Sequence, residues 1–213
     1  FLAIGAMLAL AMPNTAQAAP QLADLGVKQS MSVKASNGES LEGKDLHAIQ
    51  LATYTAASVD DNTIVGYDLT TNTALASDIT AAAKTAGATD ANLTVNGKND
   101  PMVWVVKNLT DSRSDPWSGK LRNFCNSLAK QTNFAKQEGT AVATLSQDKT
   151  TMSTGNVLVP GIYAIVDRTP ATTTPSGGTA VKTTASIMMM NGTAVNGVNQ
   201  LRTAGGTTLT LGQ

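Results

Sequence analysis

The 213-residue chain has one histidine, His47, and one cysteine, Cys125, and this limits the chemistry open to it. A single histidine excludes the multi-histidine zinc sites. His47 stands two residues after Asp45 in a stretch that reads as a strand, so its imidazole is expected to be structural. Cys125 falls on the apolar stripe of an expected helix, where a thiol behaves as a small hydrophobe. Thiol catalysis would need Cys125 and His47 together, and nothing in the spacing joins them. Asp60, Asp61 and Asn62, and separately Asp111 and Asp115, could give oxygens to calcium. That ion takes about 6 to 8 oxygens, and neither group has the EF-hand loop pattern. Solvated turns are the simpler reading of both. Gly177-Gly178 and Gly205-Gly206 lead into no helix, so they do not form a phosphate cradle. No catalytic residue, metal site or cofactor is expected.

The opening residues bear on the compartment. Phe1 to Met12 form an uncharged, almost wholly apolar run, broken by Pro13 and Asn14. Ala16-Gln17-Ala18 then gives a small-x-small pattern. This is the apolar core and cleavage region of a secretory signal peptide, with the cut expected between Ala18 and Ala19. The run is too short to span a bilayer, which takes roughly 20 apolar residues. Its basic leading segment is expected upstream of Phe1. Charged residues are 14% of the chain and the formal net charge is zero, so there is no electrostatic case for nucleic acid or an anionic membrane. A lone cysteine forms no disulfide within the chain.

The elements that must position these residues come in three blocks. Residues 19–30 read as a lead-in. Met31 to Lys34, Leu46 to Tyr54 and Thr63 to Leu69 read as strands, with a turn at Asn37-Gly38. In the second strand Leu46, Ala48, Gln50, Ala52 and Tyr54 should share one face. His47, Ile49, Leu51 and Thr53 should share the other. From about 75 to 134 the period becomes helical. Ser77 is expected to cap a helix carrying Ile79, Ala82, Ala83 and Ala86, ended by Gly87. Asp100-Pro101 and Asp115-Pro116 open two more, each carboxylate capping its own helix. The last of these carries Trp117, Leu121, Phe124, Cys125 and Leu128 on one stripe. Strand character returns at Ala141 to Leu145, Val157 to Val159, Ile162 to Val166, Val181 to Met190, Thr193 to Val198 and Thr207 to Leu211. Thr169 to Ala180 reads as a loop, and Asn191-Gly192 as a hairpin turn.

Four segments carry a resemblance. They are Leu41 to Tyr54, Asp100 to Trp104, Val159 to Asp167 with its Pro160-Gly161-Ile162-Tyr163 core, and Ala185 to Gly197. In this order they resemble the sortase-assembled fimbrial (pilin) subunits of Gram-positive bacteria, in particular the N-terminal domain of bifidobacterial and other actinobacterial subunits. The resemblance spans about residues 41 to 213. It implies a mainly β (α+β) fold, an immunoglobulin-like β-sandwich with an inserted helical region, over residues 31–213.

It also implies a non-enzymatic structural subunit of a cell-surface pilus, exported to the cell surface or wall. Its partners would be sortase and other pilin subunits, with a host glycan or extracellular-matrix ligand in adhesion. The family's pilin lysine motif and its leucine-proline-x-threonine-glycine sorting signal do not stand in this sequence. They are expected beyond Gln213, as for an N-terminal fragment. Related domains often form a Lys–Asn isopeptide bond, which needs a neutral amine in apolar surroundings and a carboxyl group to shuttle protons. The candidates here are Lys34 with Asn196 or Asn199. Glu39, Glu42 and Glu138 are the only glutamates, and none lies mid-strand. The competing readings are a free-standing secreted module that binds carbohydrate or host protein, and a secreted hydrolase. The sparse aromatics, 4% of residues, weigh against carbohydrate stacking.

Overall fold

The computed structural model describes residues 19–109, 119–170, 186–203 and 206–213. The apolar run through Ala18, Asp111, the Asp115-Pro116-Trp117 helix start, most of the Thr/Pro/Gly loop, Gly177-Gly178 and Gly205 lie outside these residues. Strand (38%) outweighs helix (24%), so the fold is mainly β, with a mixed main sheet that does not close into a barrel.

The strands are β1 (Gln21–Leu22), β2 (Ser32–Lys34), β3 (Leu46–Asp60), β4 (Thr63–Thr71), β5 (Thr94–Val95), β6 (Lys98–Asn99) and β7 (Thr140–Ala141). They continue with β8 (Thr144–Leu145), β9 (Thr151–Ser153), β10 (Gly161–Asp167), β11 (Ser186–Gly192), β12 (Gln200–Arg202) and β13 (Thr208–Thr210). The helices are α1 (Ala76–Thr85), α2 (Pro101–Asn108), α3 (Lys120–Leu128) and α4 (Thr132–Ala135). The main sheet runs β11-β10-β3-β4-β12-β13, with β1 and β7 also on β3. Its pairs are antiparallel except β12 beside β4, which meet in parallel at Leu201 and Ile64. A second sheet, β2-β9-β8, has three strands.

The main sheet is covered on both faces. On β10, Ile162, Ala164 and Val166 join a core with Ile79, Met102, Phe124 and Leu128 of the helices. The alternate residues Tyr163 and Ile165 join a second core with Met31 and Val33 near and on β2 and Met152 on β9. A strand buried on both sides explains why this stretch reads as a continuous apolar run. Gly161 lets β10 approach β3, because a Cβ there would meet the Ala52 carbonyl oxygen at 2.1 Å.

β3 serves both cores through a bulge. Leu46 and Ala48 face the small sheet, whereas Ile49, Leu51, Ala52 and Tyr54 all face the helices. The register slips there, since Ile162 pairs with Ala52 but Tyr163 with Gln50, leaving Leu51 as the extra residue. The expected alternation from Leu46 to Tyr54 therefore breaks at Leu51, because an extra residue inverts the sidedness of all that follow.

Other expectations also change. Ser77 is not the cap of α1. A 3₁₀ turn precedes the helix, and Asn72 caps that turn by accepting the Ala74 amide at 3.1 Å. Ala141 to Leu145 is two short strands in different sheets, and Val157 to Val159 forms only a single bridge, Leu158 to Gln29. Asn191-Gly192 is not a hairpin turn but the end of β11, opposite Tyr163 and Ile162. The tight turn comes at Asn196-Gly197, both with positive φ (47° and 80°), between the bridged Val195 and Val198. Thr193 to Val198 is accordingly no strand. An unanticipated hairpin, β5–β6, turns on Asn96-Gly97 by the same left-handed pair. Among the described residues no helix is long and apolar enough to cross a membrane.

Candidate functional site

A polar cluster lies where β3 begins and β10 ends. His47 Nε2 sits 2.8 Å from Asp45 Oδ1. The Asp45 amide donates to Thr169 Oγ1 at 2.9 Å, and the Arg168 amide donates to the Asp45 carbonyl at 2.8 Å. Asp167 accepts from the Thr169 amide at 2.8 Å and pairs with Lys44 Nζ at 3.4 Å. Arg168 donates through Nη1 to the Glu138 carbonyl at 3.0 Å and through Nη2 to that of Gln137. Burial pushes the Asp167 carboxyl up, but the Thr169 hydrogen bonds and the Lys44 charge outweigh it and hold the group below the usual range.

A histidine oriented by a carboxylate can serve as a base, but it then needs a nucleophile on its other nitrogen. Among the described residues His47 Nδ1 is buried with no hydrogen-bond partner, and no described thiol or hydroxyl is presented to it. Cys125 lies on α3, 4% exposed, in the helical-side core. The tyrosines offer no alternative. Burial raises Tyr54 and Tyr67, and pushes Tyr163 up to about 12 against the opposing hydrogen bonds from Gln50 and to Val159. This cluster ties the entry of β3 to the exit of β10.

The isopeptide candidates are placed apart from any such chemistry. Lys34 is exposed on β2, opposite Thr151. Asn196 is exposed in its turn, and Asn199 is half-buried with its carbonyl taken by the Leu211 amide at 2.8 Å. Exposed in this way, Lys34 lacks the apolar surroundings the reaction requires. Asp61 and Asn62, at φ 44° and 57°, form the two-residue turn between β3 and β4. Among the described residues no group of three or more metal-ligating side chains occurs.

Three polar nodes were not foreseen. Asp78, buried on α1, accepts from the Phe134 amide at 2.8 Å and from Asn133 Nδ2 at 3.0 Å, capping α4 from another helix. Asp100 does not cap α2 with its side chain. It accepts from the Thr71 amide at 2.9 Å and from the Thr71 hydroxyl, and that hydroxyl accepts the Met102 amide at 3.0 Å. The cap is thus relayed through β4. Tyr163 donates its hydroxyl to the Val159 carbonyl at 2.9 Å and accepts from Gln50 Nε2 at 3.0 Å. An acid amid apolar helix neighbours was the one available signal for Asp78; Thr71 gave none.

The described residues also form surface clefts. One, about 250 Å³, lies beside Gln50, Asn72, Gln137 and Tyr163. The other, about 490 Å³, lies between β1 and the Val195–Val198 turn, with Asp24, Asp60 and Asp61 in its wall. No family model, curated protein or solved structure matches the chain.

Proposed function

We propose that the chain is an exported, non-enzymatic pilus module, an immunoglobulin-like β-sandwich with a helical insert. The observation that carries the reading is the meeting of distant family-like segments. Leu41 to Tyr54, Val159 to Asp167 and Ala185 to Gly197 supply β3, β10 and β11, three neighbours in one sheet. The helices α1 to α4 fall between β4 and β7, where the insert is expected. The small sheet over β3 and β10 supplies a second β layer. Tyr163, bonded back to Val159 four residues upstream, has the geometry of the tyrosine corner of such sandwiches.

The function follows from material properties. A covalent fibre needs rigid exported domains, while the joining chemistry belongs to sortase. Lysine and sorting signal would be supplied by segments beyond Gln213. The test is an antibody against this chain on wall extracts boiled in detergent. A ladder of high-mass species that disappears when sortase is deleted is the expected result. A single band at monomer mass, released into the medium, would instead support the free-standing binding module.

A further inference from the structure

The cleft beside Gln50 sits at a break in the main sheet. β7 pairs with β3 only at His47 and Ala48, and β4 pairs with it only from Ala52 onward. On that side Ile49 to Leu51 have no strand neighbour among the described residues. Asn72 fills the gap, donating through Nδ2 to the Gln50 carbonyl at 2.9 Å and through its amide to the Leu51 carbonyl at 2.8 Å. The Leu51 bulge falls at the same place. Bulges recur beside functional sites, where they re-aim a side chain. Register brings three polar side chains to one face here. Tyr163 is opposite Gln50, Thr140 is opposite Ala48, and Ala48 and Gln50 are two residues apart on β3, before the bulge.

The hydrogen bonds these groups leave unmade define the ligand. The Tyr163 hydroxyl has one proton and gives it to the Val159 carbonyl, so it must accept from Gln50 Nε2. Gln50 Oε1 is then left without a protein partner among the described residues. Gln137 likewise gives Nε2 to the Asn133 carbonyl at 3.2 Å and keeps Oε1. The Thr140 hydroxyl also has no partner among the described residues. The unspent groups are thus two amide oxygens and a hydroxyl, and a ligand must bring donors to them. No charged side chain lines the cleft, so an ion would meet no counter-charge. Val157, 55% exposed, adds apolar surface to the wall. The volume, about 250 Å³, is just below the range of about 300 to 1,000 Å³ that holds drug-sized ligands, and suits a single six-membered ring.

We propose that this cleft binds one neutral, polyhydroxylated ring of hexose size. Its hydroxyls donate to Gln50 Oε1 and Gln137 Oε1 and bond the Thr140 hydroxyl, and its C–H groups lie against Val157. Tyr163 is a positioning residue: it fixes the Gln50 amide, and a ligand that donates to Gln50 Oε1 strengthens the relay through Tyr163 to Val159. Recognition is by hydrogen bonding without stacking, since Tyr163, the one aromatic residue of the wall, is 4% exposed. The proposal rests on the cleft alone, and its failure would leave the pilus reading standing.

The probes are methyl α-D-glucopyranoside, methyl β-D-galactopyranoside and the two free sugars, titrated into the protein and followed by NMR of backbone and side-chain amides. For at least one sugar, saturable shifts are expected at the Gln50 and Gln137 side-chain amides and at Thr140 and Val157, in the millimolar range and little changed by salt. Binding of a methyl glycoside, whose anomeric position is blocked as at a chain end, assigns the ring to a glycan terminus; binding of the free sugar alone assigns it to a free sugar. The matching uronic acid should bind at least about threefold more weakly. Thr140→Val, which keeps the shape, and Tyr163→Phe, which releases the Gln50 amide, should each weaken binding by about threefold or more, with spectra unchanged away from the cleft. No saturation by about 100 mM sugar, shifts confined to other surfaces, or full affinity in both variants would overturn the proposal. So would methylammonium saturating the same residues while no sugar does; the cleft would then be a cation site.

Discussion

Gly161→Ala tests the central packing of the sheet. Gly161 has no positive φ that would favour glycine, so alanine costs nothing in backbone conformation there. The space is the obstacle. The new Cβ would lie 2.1 Å from the Ala52 oxygen and 3.1 Å from both Ala52 C and Thr53 Cα, all backbone atoms of β3. Real Cβ contacts essentially never fall below 3.0 Å, so β10 must move away by about 1 Å. That movement disturbs the Gly161 bonds to Thr193, now 3.1 and 2.9 Å, on its other side. Overpacking of this kind typically costs about 1 to 3 kcal/mol, and immovable backbone on the receiving side favours about 3. The assay is urea unfolding with unchanged slope, backed by a melting-temperature fall of roughly 6 to 12 °C for a chain of this size. Gly155→Ala is the control, since it has positive φ (68°) but open space, and should cost about 1 kcal/mol. If Gly161→Ala lies within about 0.5 kcal/mol of wild type, the close approach of β10 to β3 is wrong.

Three further outcomes are expected. Tyr163→Phe removes the donor to Val159 and the acceptor of Gln50; because the adjoining cleft admits water, the loss should be about 1 kcal/mol, with coupling to Gln50→Ala in a double-mutant cycle. Asp78→Ala leaves the start of α4 uncapped and should cost about 2 kcal/mol, with faster hydrogen exchange at the Phe134 amide. Asp167 is depressed in the folded state, so the unfolded chain takes up its proton first as pH falls. Its contribution is full above the ordinary value of 3.8 and is lost below it as the folded carboxyl protonates. Melts of wild type and Asp167→Asn between pH 6 and pH 2 should therefore converge at the acid end.

The strands that read well in sequence are those whose apolar pattern is set by burial on the spot. Gly161 to Asp167 is buried on both faces and looks so. Leu46 to Tyr54 also shows as a strand, but the Leu51 bulge depends on a partner more than 100 residues away and leaves no local mark. The same limit explains Asn191-Gly192 and Asn196-Gly197. Both are turn dipeptides by composition, but the first is held extended by pairing with β10, and only the second is free to turn. Asp100-Pro101 correctly marks a helix start, while its carboxylate goes to Thr71, a choice made by tertiary packing. The polar nodes were hardest to foresee, because each needs a residue from a distant element. Of the cluster at His47, only the Asp45 neighbour was visible.

The pairing of Gln50 with Tyr163 has a consequence for how the chain is made. The two residues are 113 positions apart. During vectorial synthesis at about 5 to 20 residues per second, β3 would wait roughly 6 to 23 seconds for β10 to appear. From Ala52 to Asp60, one side of β3 is protected early, since β4 follows across a two-residue turn. The side that β10 will occupy stays open until the helices and more than a hundred residues have been added. Closing that interval also carries the entropy of a long loop, which makes this step slow. The nascent protein therefore passes through a state with an unpaired, apolar strand edge at its centre. Dilution, rapid delivery or a holding chaperone during that interval should raise the yield of correctly folded molecules more than any change to the finished surface.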